Sequence, residues 1–467
     1  MSLTVTQRPS TTISGNTSRW NAVKNPIVYR MTRKDFNITA VADSAGALRI
    51  TVNANLTTLT AAQGSPVLVG AKMWVVSDNG IYNGLYTVVS VTNVASSVVT
   101  FGAGTYVSAA TTGFINLSQR TGYYVSLGLY NAADVLLHTL RYSPDRQGLL
   151  LMDVSGILIN LISPDNVADY VTGFTINNET TAYLRFYIRH TEVWKLSAES
   201  EVNDTSNRFY AVFGAKQIGE LHGGNVAEFT GLEFASPRNK FLTRFSRPKI
   251  WRGYPFSISL IVDTIATDTG VYLQYYDAAN SVVSENLATI VFANNNDRLI
   301  RININSVLAI PSDAVRVALH FVNTDPTNIP APLDCDIVDA CPNPILLWWR
   351  NSLGGDAFWL FDYNQQYSYR YNNGRKAKRY VLFAQNLTDN EYDSISELST
   401  LGEVYEPSIT ELTTAINKSQ ERVGAQVYMM DATGKKIGVI VIPTEFSTMT
   451  KLSRNKLQIV IELPEIY

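Results

Sequence analysis

Trp348-Trp349-Arg350-Asn351-Ser352-Leu353-Gly354-Gly355-Asp356-Ala357-Phe358-Trp359 is a turn set between two strand-like aromatic runs, and its reading decides the fold. Glycine reaches positive φ without steric cost and Asn tolerates it better than most residues, so Asn351, Gly354 and Gly355 supply a hairpin turn. Nine of the thirty residues from Pro342 to Tyr371 are aromatic. The overall aromatic content of 11% would give about three. A cluster of this size needs cover, because aromatic side chains dominate cores and interfaces. Adjacent strand residues point to opposite faces, so one of Trp348 and Trp349 is expected in a core and the other against a partner subunit or another domain. The interface candidates are Trp348, Trp349, Trp359, Phe361, Tyr363 and Tyr367.

Strand signals extend outward from this hairpin. Tyr123, Val125, Leu127 and Leu129 alternate with Tyr124, Ser126 and Gly128, and Phe256, Ile258, Leu260 and Val262 alternate with Ser257, Ser259 and Ile261. Ile300, Ile302 and Ile304, and Leu457, Ile459 and Ile461, repeat the pattern. Period two marks half-buried antiparallel strands. Turns such as Asp78-Asn79-Gly80, Asn83-Gly84 and Asn294-Asn295-Asn296 break the runs. The expected class is all-β: tandem antiparallel β-sandwiches with a small β-barrel insertion and one or two short helices near the C-terminus. The helices are read from Thr388-Asp-Asn-Glu391, a capping box followed by Tyr392, Ile395 and Leu398 and closed by Gly402, and from Ser408-Ile-Thr-Glu411.

Leu127-Gly-Leu-Tyr130-Asn131-Ala-Ala-Asp134 is echoed by Leu273-Gln-Tyr-Tyr276-Asp277-Ala-Ala-Asn280, and more loosely by Val427-Tyr-Met-Met-Asp431-Ala-Thr-Gly434. The copies begin 146 and 154 residues apart. They indicate either related sandwich units or convergent hairpin chemistry. Residues 63–108 read as a small barrel inserted into a first sandwich made of 1–62 and 109–175. An extended arm or connector follows at 176–240, where the glycines match neither GxxxxGK[ST] nor GxGxxG. A second sandwich is expected over 241–340, and a β-rich C-terminal domain with short helices over 341–467.

Composition narrows function. The chain has 467 residues, 46% hydrophobic and 17% charged, which is globular and long enough for several domains. A net charge of −2 gives no general electrostatic case for nucleic acid or an anionic membrane. The Arg375-Lys376-Ala377-Lys378-Arg379 run reads as a solvated loop. The N-terminus shows no signal-peptide pattern and no run is long enough for a membrane helix, so synthesis in a cytoplasm is expected. Cys335 and Cys341 enclose five residues. A short-loop disulfide is open to them, but two free thiols is the favoured reading, with no metal signature. His138, His190, His222 and His320 are isolated in sequence. No catalytic motif stands out, so neither an enzyme nor a cofactor is expected.

Several stretches resemble virion structural proteins of tailed phages that infect Bacteroidetes, the crAss-like phages included. They are Trp20-Asn-Ala-Val-Lys-Asn-Pro-Ile27, Tyr210-Ala-Val-Phe-Gly-Ala-Lys-Gln217, Leu353-Gly-Gly-Asp-Ala-Phe358, and the closing segments Ala425–Tyr428, Asp431–Gly434 and Leu457–Glu462. The resemblance implies a tail, ring or baseplate component in the virion and supplies no catalytic residues. Its expected partners are further copies in a ring and other tail proteins. The alternative is a carbohydrate-recognising receptor-binding protein, with Trp348, Trp349 and Trp359 as a sugar-stacking platform for a host surface glycan. A glycan-degrading enzyme has only unplaced carboxylates behind it.

Overall fold

The computed structural model describes most of the chain between Ser2 and Leu463; the longest stretches outside the described residues are 164–173, 215–239, 371–394, 406–426 and 443–453. The protein is all-β, with several antiparallel sheets, a closed barrel and one short α-helix among the described residues.

The first unit opens with β1 (Ser2–Gln7), a small hairpin of β2 (Thr11–Ile13) and β3 (Asn16–Ser18), β4 (Trp20–Ala22) and β5 (Val28–Lys34). The barrel comes next: β6 (Phe36–Ser44), β7 (Ala47–Val52), β8 (Lys72–Ser77), β9 (Gly84–Val91), β10 (Val98–Thr105) and β11 (Gly113–Leu117). It closes in the order β10-β7-β6-β11-β8-β9 around Leu48, Ile50, Met73, Val75, Val99 and Phe101. The insertion is therefore larger than 63–108. The flanking strands expected in the sandwich, β6, β7 and β11, belong to the barrel, because ladder closure needs all six.

The sandwich resumes with β12 (Tyr124–Asn131), β13 (Leu136–Tyr142), β14 (Leu149–Asp153) and α1 (Ser155–Leu158). After β15 (Phe174–Asn178) come β16 (Tyr183–Trp194), the short β17 (Ser197–Ala198) and β18 (Val202–Asn203), and β19 (Phe209–Val212). The two sheets run β1-β5-β14 and β13-β12-β16-β19-β4, with β17 and β18 beside β16. Tyr29, Met31, Leu127, Met152, Phe186 and Ile188 fill the space between them. The connector expected over 176–240 is thus corrected: β16 and β19 are sandwich strands, drawn in because Phe186, Ile188, Phe209 and Ala211 alternate into that core.

The second unit contains β20 (Lys240–Phe241), β21 (Lys249–Trp251), β22 (Pro255–Val262), β23 (Asp268–Tyr276), β24 (Val282–Val291), β25 (Arg298–Asn305), β26 (Arg316–Asn323) and β27 (Leu333–Val338). Its sheets run β15-β25-β22-β20 and β24-β23-β26-β27-β21. Strand for strand this repeats the first unit, down to one parallel pairing, β19 with β4 and β27 with β21. The echoed turns match as well. Asp134 and Asn280 sit at φ 60° and 64°, and Asn131 Oδ1 and Asp277 Oδ1 accept main-chain N–H bonds from Val135 and Ser281. Between α1 and β16 the chain crosses over, adding β15 to the edge of β25 in the second unit.

The repeat makes the barrel's removal testable. The second unit joins β22 to β23 through residues 263–267 alone, where the first carries the whole barrel between β5 and β12. Deleting Phe36–Leu117 with a short Gly/Ser bridge should leave the rest cooperatively folded, since loop closure costs little. Deleting only 63–108 should strand β6, β7 and β11 with open edges and aggregate. Soluble yield and thermal unfolding of the two deletions compare them; the reverse ranking would refute the repeat-based boundary.

The C-terminal sheet comprises β28 (Ile345–Arg350), β29 (Asp356–Phe361), β30 (Gln366–Arg370), β31 (Ile395–Tyr405), β32 (Val427–Met430), β33 (Lys436–Ile442) and β34 (Arg454–Leu463), in the order β29-β28-β32-β33-β34-β31-β30. The helix expected through Ile395, Leu398 and Gly402 is strand β31, laddered to β34 from Ser396 to Tyr405. Tertiary pairing overrides the local capping signal there. The box at Ser408 lies outside the described residues. The short helix is α1, far from the C-terminus. The third echo is a hairpin only: β32 pairs with the preceding β28, whereas β12 and β23 pair with later strands.

Candidate functional site

Every residue of β28 and β29 is buried, and so is the turn between them at Asn351, Gly354 and Gly355. Trp348 stands opposite Phe358 and Tyr428, and its ring centroid lies 5.2 Å from that of Tyr428. Trp349 stands opposite Ala357 on the other face. There Trp359 packs 5.5 Å from Trp251 and 5.8 Å from Phe245. The faces are divided as strand geometry requires, yet both are covered by this chain.

This corrects the expected roles. Trp348, Trp349 and Phe361 are 0% exposed and Trp359 is 4% exposed, so none is presented to a partner or a sugar. Five of the nine aromatics, Trp348, Trp349, Phe358, Trp359 and Phe361, are enclosed on β28 and β29. Tyr367 lies on β30 opposite Leu398, with its side chain outside the description; Tyr363, Cys341, His222 and the Arg375–Arg379 run lie outside the described residues.

The hairpin tip meets both sandwiches. Asn351 Nδ2 donates to the Leu242 carbonyl at 2.8 Å, while its Oδ1 accepts from Leu353 N at 2.9 Å. Gly354 has φ +88°, and a Cβ there would lie 2.6 Å from Val212 Cγ2. At Gly355 a Cβ would come within 2.3 Å of the Leu242 carbonyl oxygen, so only glycine fits. Beside the tip, Trp20, Tyr210 and Val212 of the first unit pack with Leu242, Ile261 and Leu299 of the second.

Four charges are enclosed at this junction. Arg350 Nη2 lies 2.7 Å from Glu179 Oε2 and its Nη1 3.0 Å from Asp356 Oδ1. Arg301 Nε lies 3.0 Å from Glu179 Oε1 and 2.7 Å from Asp356 Oδ2. Its N–H is aimed at neither oxygen, so those contacts are ionic, and the directed bond is Nη2 to Asp356 Oδ1 at 3.3 Å. Asp356 also accepts from Ser257 Oγ at 2.7 Å and Trp348 Nε1 at 3.3 Å. The side chains are at most 5% exposed. Burial pushes the Asp356 carboxyl up, but Arg301, Arg350 and the Ser257 hydroxyl together outweigh it and hold the group below the usual carboxylate range. Glu179 directly follows the crossover strand β15, Arg301 lies on β25, and Arg350 and Asp356 flank the hairpin turn. The cluster joins the crossover, the second sandwich and the C-terminal sheet at one point.

Chemically the arrangement holds rather than reacts: its two acids are neutralised by two bases and enclosed by protein. The adjoining cavity, lined by Phe245, Lys249, Phe256 and Trp359, has room for about one water. Cys335 is fully buried in the second core; burial pushes its thiol up, and Asp336 and Asp334 push it further. No group of His, Cys, Asp and Glu among the described residues is arranged to hold a metal ion. No protein-family model matches the chain, and neither does any curated protein.

Proposed function

We propose that the chain is a structural subunit of a tailed-phage virion, a tail ring, collar or baseplate component that assembles as a homo-oligomeric ring. The observation that carries this reading is the junction at Glu179, Arg301, Arg350 and Asp356. It ties the crossover, the second sandwich and the C-terminal sheet together with fully enclosed charges. Buried ionic clusters are poor sources of net stability but hold partners in one relative geometry. A subunit that must repeat an angle around a ring needs that property. The sequence resemblance to phage tail proteins supports the same reading. The three tryptophans offered as the platform of the glycan alternative are enclosed, so they do not support it.

Sizing chromatography with light scattering at micromolar concentration, together with imaging of virions, tests the proposal. The expected result is a defined oligomer in solution and the same subunit in the tail. A stable monomer absent from purified particles would refute it.

A further inference from the structure

The chain passes between the first sandwich and the barrel twice, at Asp35 between β5 and β6 and again between β11 and β12. Units linked in this way move against each other by default, unless their contact holds them. Comparing the two sandwiches shows what that contact is made of. In the first, Glu192 stands opposite Val125 and His190 opposite Leu127. The matching positions of the second carry Phe321 opposite Val271 and Leu319 opposite Leu273. The last inward residue of β22 is Val262, where its counterpart β5 has Arg33. The barrel end of the first core thus has an arginine, a glutamate and a histidine, all buried, where the second core stays apolar. The sandwich scaffold does not call for these polar groups; the barrel is what the first sandwich has and the second lacks.

Arg33 and Glu192 belong to a run of buried contacts that continues into the barrel. Arg33 Nε and Nη2 donate to Asp35 Oδ1 and Oδ2 at 3.0 and 2.8 Å, a two-pronged pair of the strong kind. The same guanidinium lies 4.7 Å from the centroid of the Tyr123 ring, and Tyr123 Oη donates to Glu192 Oε1. Toward the barrel, Asp35 N donates to Asn116 Oδ1 at 3.0 Å, and Asn116 on β11 is 2% exposed. Lys34 Nζ lies 5.2 Å from the ring centroid of Phe114 on that strand. The turn before β14 closes the neck from the side. Gly148 O accepts from Arg33 N at 2.8 Å, and a Cβ on Gly148 would lie 2.4 Å from Asn116 Nδ2. Strands of both sandwich sheets, β5 and β16, are in this way joined to barrel strand β11 through enclosed polar groups.

We infer that this run of contacts locks the neck, so that the barrel and the first sandwich move as one rigid arm. A displacement applied at the barrel is then passed to the sandwich core instead of being absorbed between them. The inference does not depend on the ring reading. A hinge works when a few connecting residues absorb a large change of backbone angle. Asp35 is the connecting residue here, and it cannot turn without giving up both Arg33 and Asn116. Losing either is costly, because a buried polar network left partly unsatisfied is worse than none.

The test places spin labels by S90C and T139C, at exposed positions of β9 and β13, in the full-length chain carrying C341S. Cys335 is fully buried and stays unlabelled. Double electron–electron resonance reads the label separation, with labelled chain diluted into an excess of unlabelled chain so that only pairs within one molecule count. The unaltered neck should give one narrow separation. Asn116→Ala unties the barrel side, and Arg33→Met with Asp35→Asn removes the ion pair whole. Each should widen the separation about twofold, since motion between linked units returns once their contact is lost. Asp78→Ala, on the exposed barrel surface, should leave it narrow. Hydrogen exchange over residues 48–52 of the barrel and 186–188 of the sandwich checks that both bodies stay folded. A broad separation with the unaltered neck overturns the inference, and so does a narrow one that survives both neck changes. A barrel that unfolds in either neck variant, instead of swinging intact, would make these residues supports of the barrel's own fold and overturn it as well.

Discussion

Replacing Asp356 by Asn should destabilise the protein by roughly 3–5 kcal/mol, the cost of breaking a buried ionic cluster by removing one partner. The change is nearly isosteric, so packing is preserved and the loss is electrostatic. Arg301 and Arg350 would share Glu179 alone, leaving an uncompensated positive charge at the junction. Asp336→Asn serves as the control. Its pair with Arg247 has side chains 53% and 36% exposed, so that change should cost about 0–1 kcal/mol. Denaturant unfolding of both variants measures the difference, and equal costs would show that the enclosed cluster does not hold the units. The pH dependence has a defined sign. The Asp356 carboxyl is depressed in the folded state, so its contribution is present above the unfolded value of about 3.9 and is lost as pH falls through the lower folded value. The wild type should therefore lose this contribution only in strong acid, and Asp356→Asn should lack that acid-dependent component.

That cluster shows where sequence reading stops. Arg350 and Asp356 stand out in the sequence as the residues bracketing the hairpin turn, and hairpin register places them opposite each other. Glu179 and Arg301 carry no local signal. One follows a strand lent across two sandwiches, and the other lies on a β25 position whose outward direction reads as solvent-facing from alternation alone. Period two specifies which residues share a face but not what covers it. The same limit misassigned Trp348 and Trp349: their opposite directions follow from strand geometry, while cover from Trp251, Phe245 and Tyr428 comes from elements far away in sequence. The repeated turns were legible because Asn131 and Asp277 place specific chemistry at a fixed point. The barrel limits were not, since β6, β7 and β11 read like sandwich strands. The β31 segment was misread because a capping box is local and its ladder to β34 is not.

Trp348 and Trp349 should then both prove structural, although one of them was expected to face a partner subunit or another domain. Trp348→Ala and Trp349→Ala each remove a fully buried indole and should each cost roughly 3–5 kcal/mol. Both losses should register as thermal destabilisation of the single chain, whatever its oligomeric state. The two indoles differ in the duty of their N–H groups. Trp348 Nε1 donates to Asp356 Oδ1 at 3.3 Å, whereas Trp349 Nε1 is buried with no hydrogen-bond partner among the described residues. Phenylalanine keeps most of the ring and removes the N–H. Trp348→Phe should lose a bond to a charged group, about 1.5–3 kcal/mol, on top of the smaller ring volume. At the second position the change removes an unsatisfied donor, so Trp349→Phe should be the milder of the two by a similar margin. Chemical denaturation of the four variants decides the matter. A Trp349→Ala chain as stable as wild type but defective in assembly would return that face to a partner subunit. Equal costs for the two Phe variants would show that the Trp348–Asp356 bond contributes nothing to the junction.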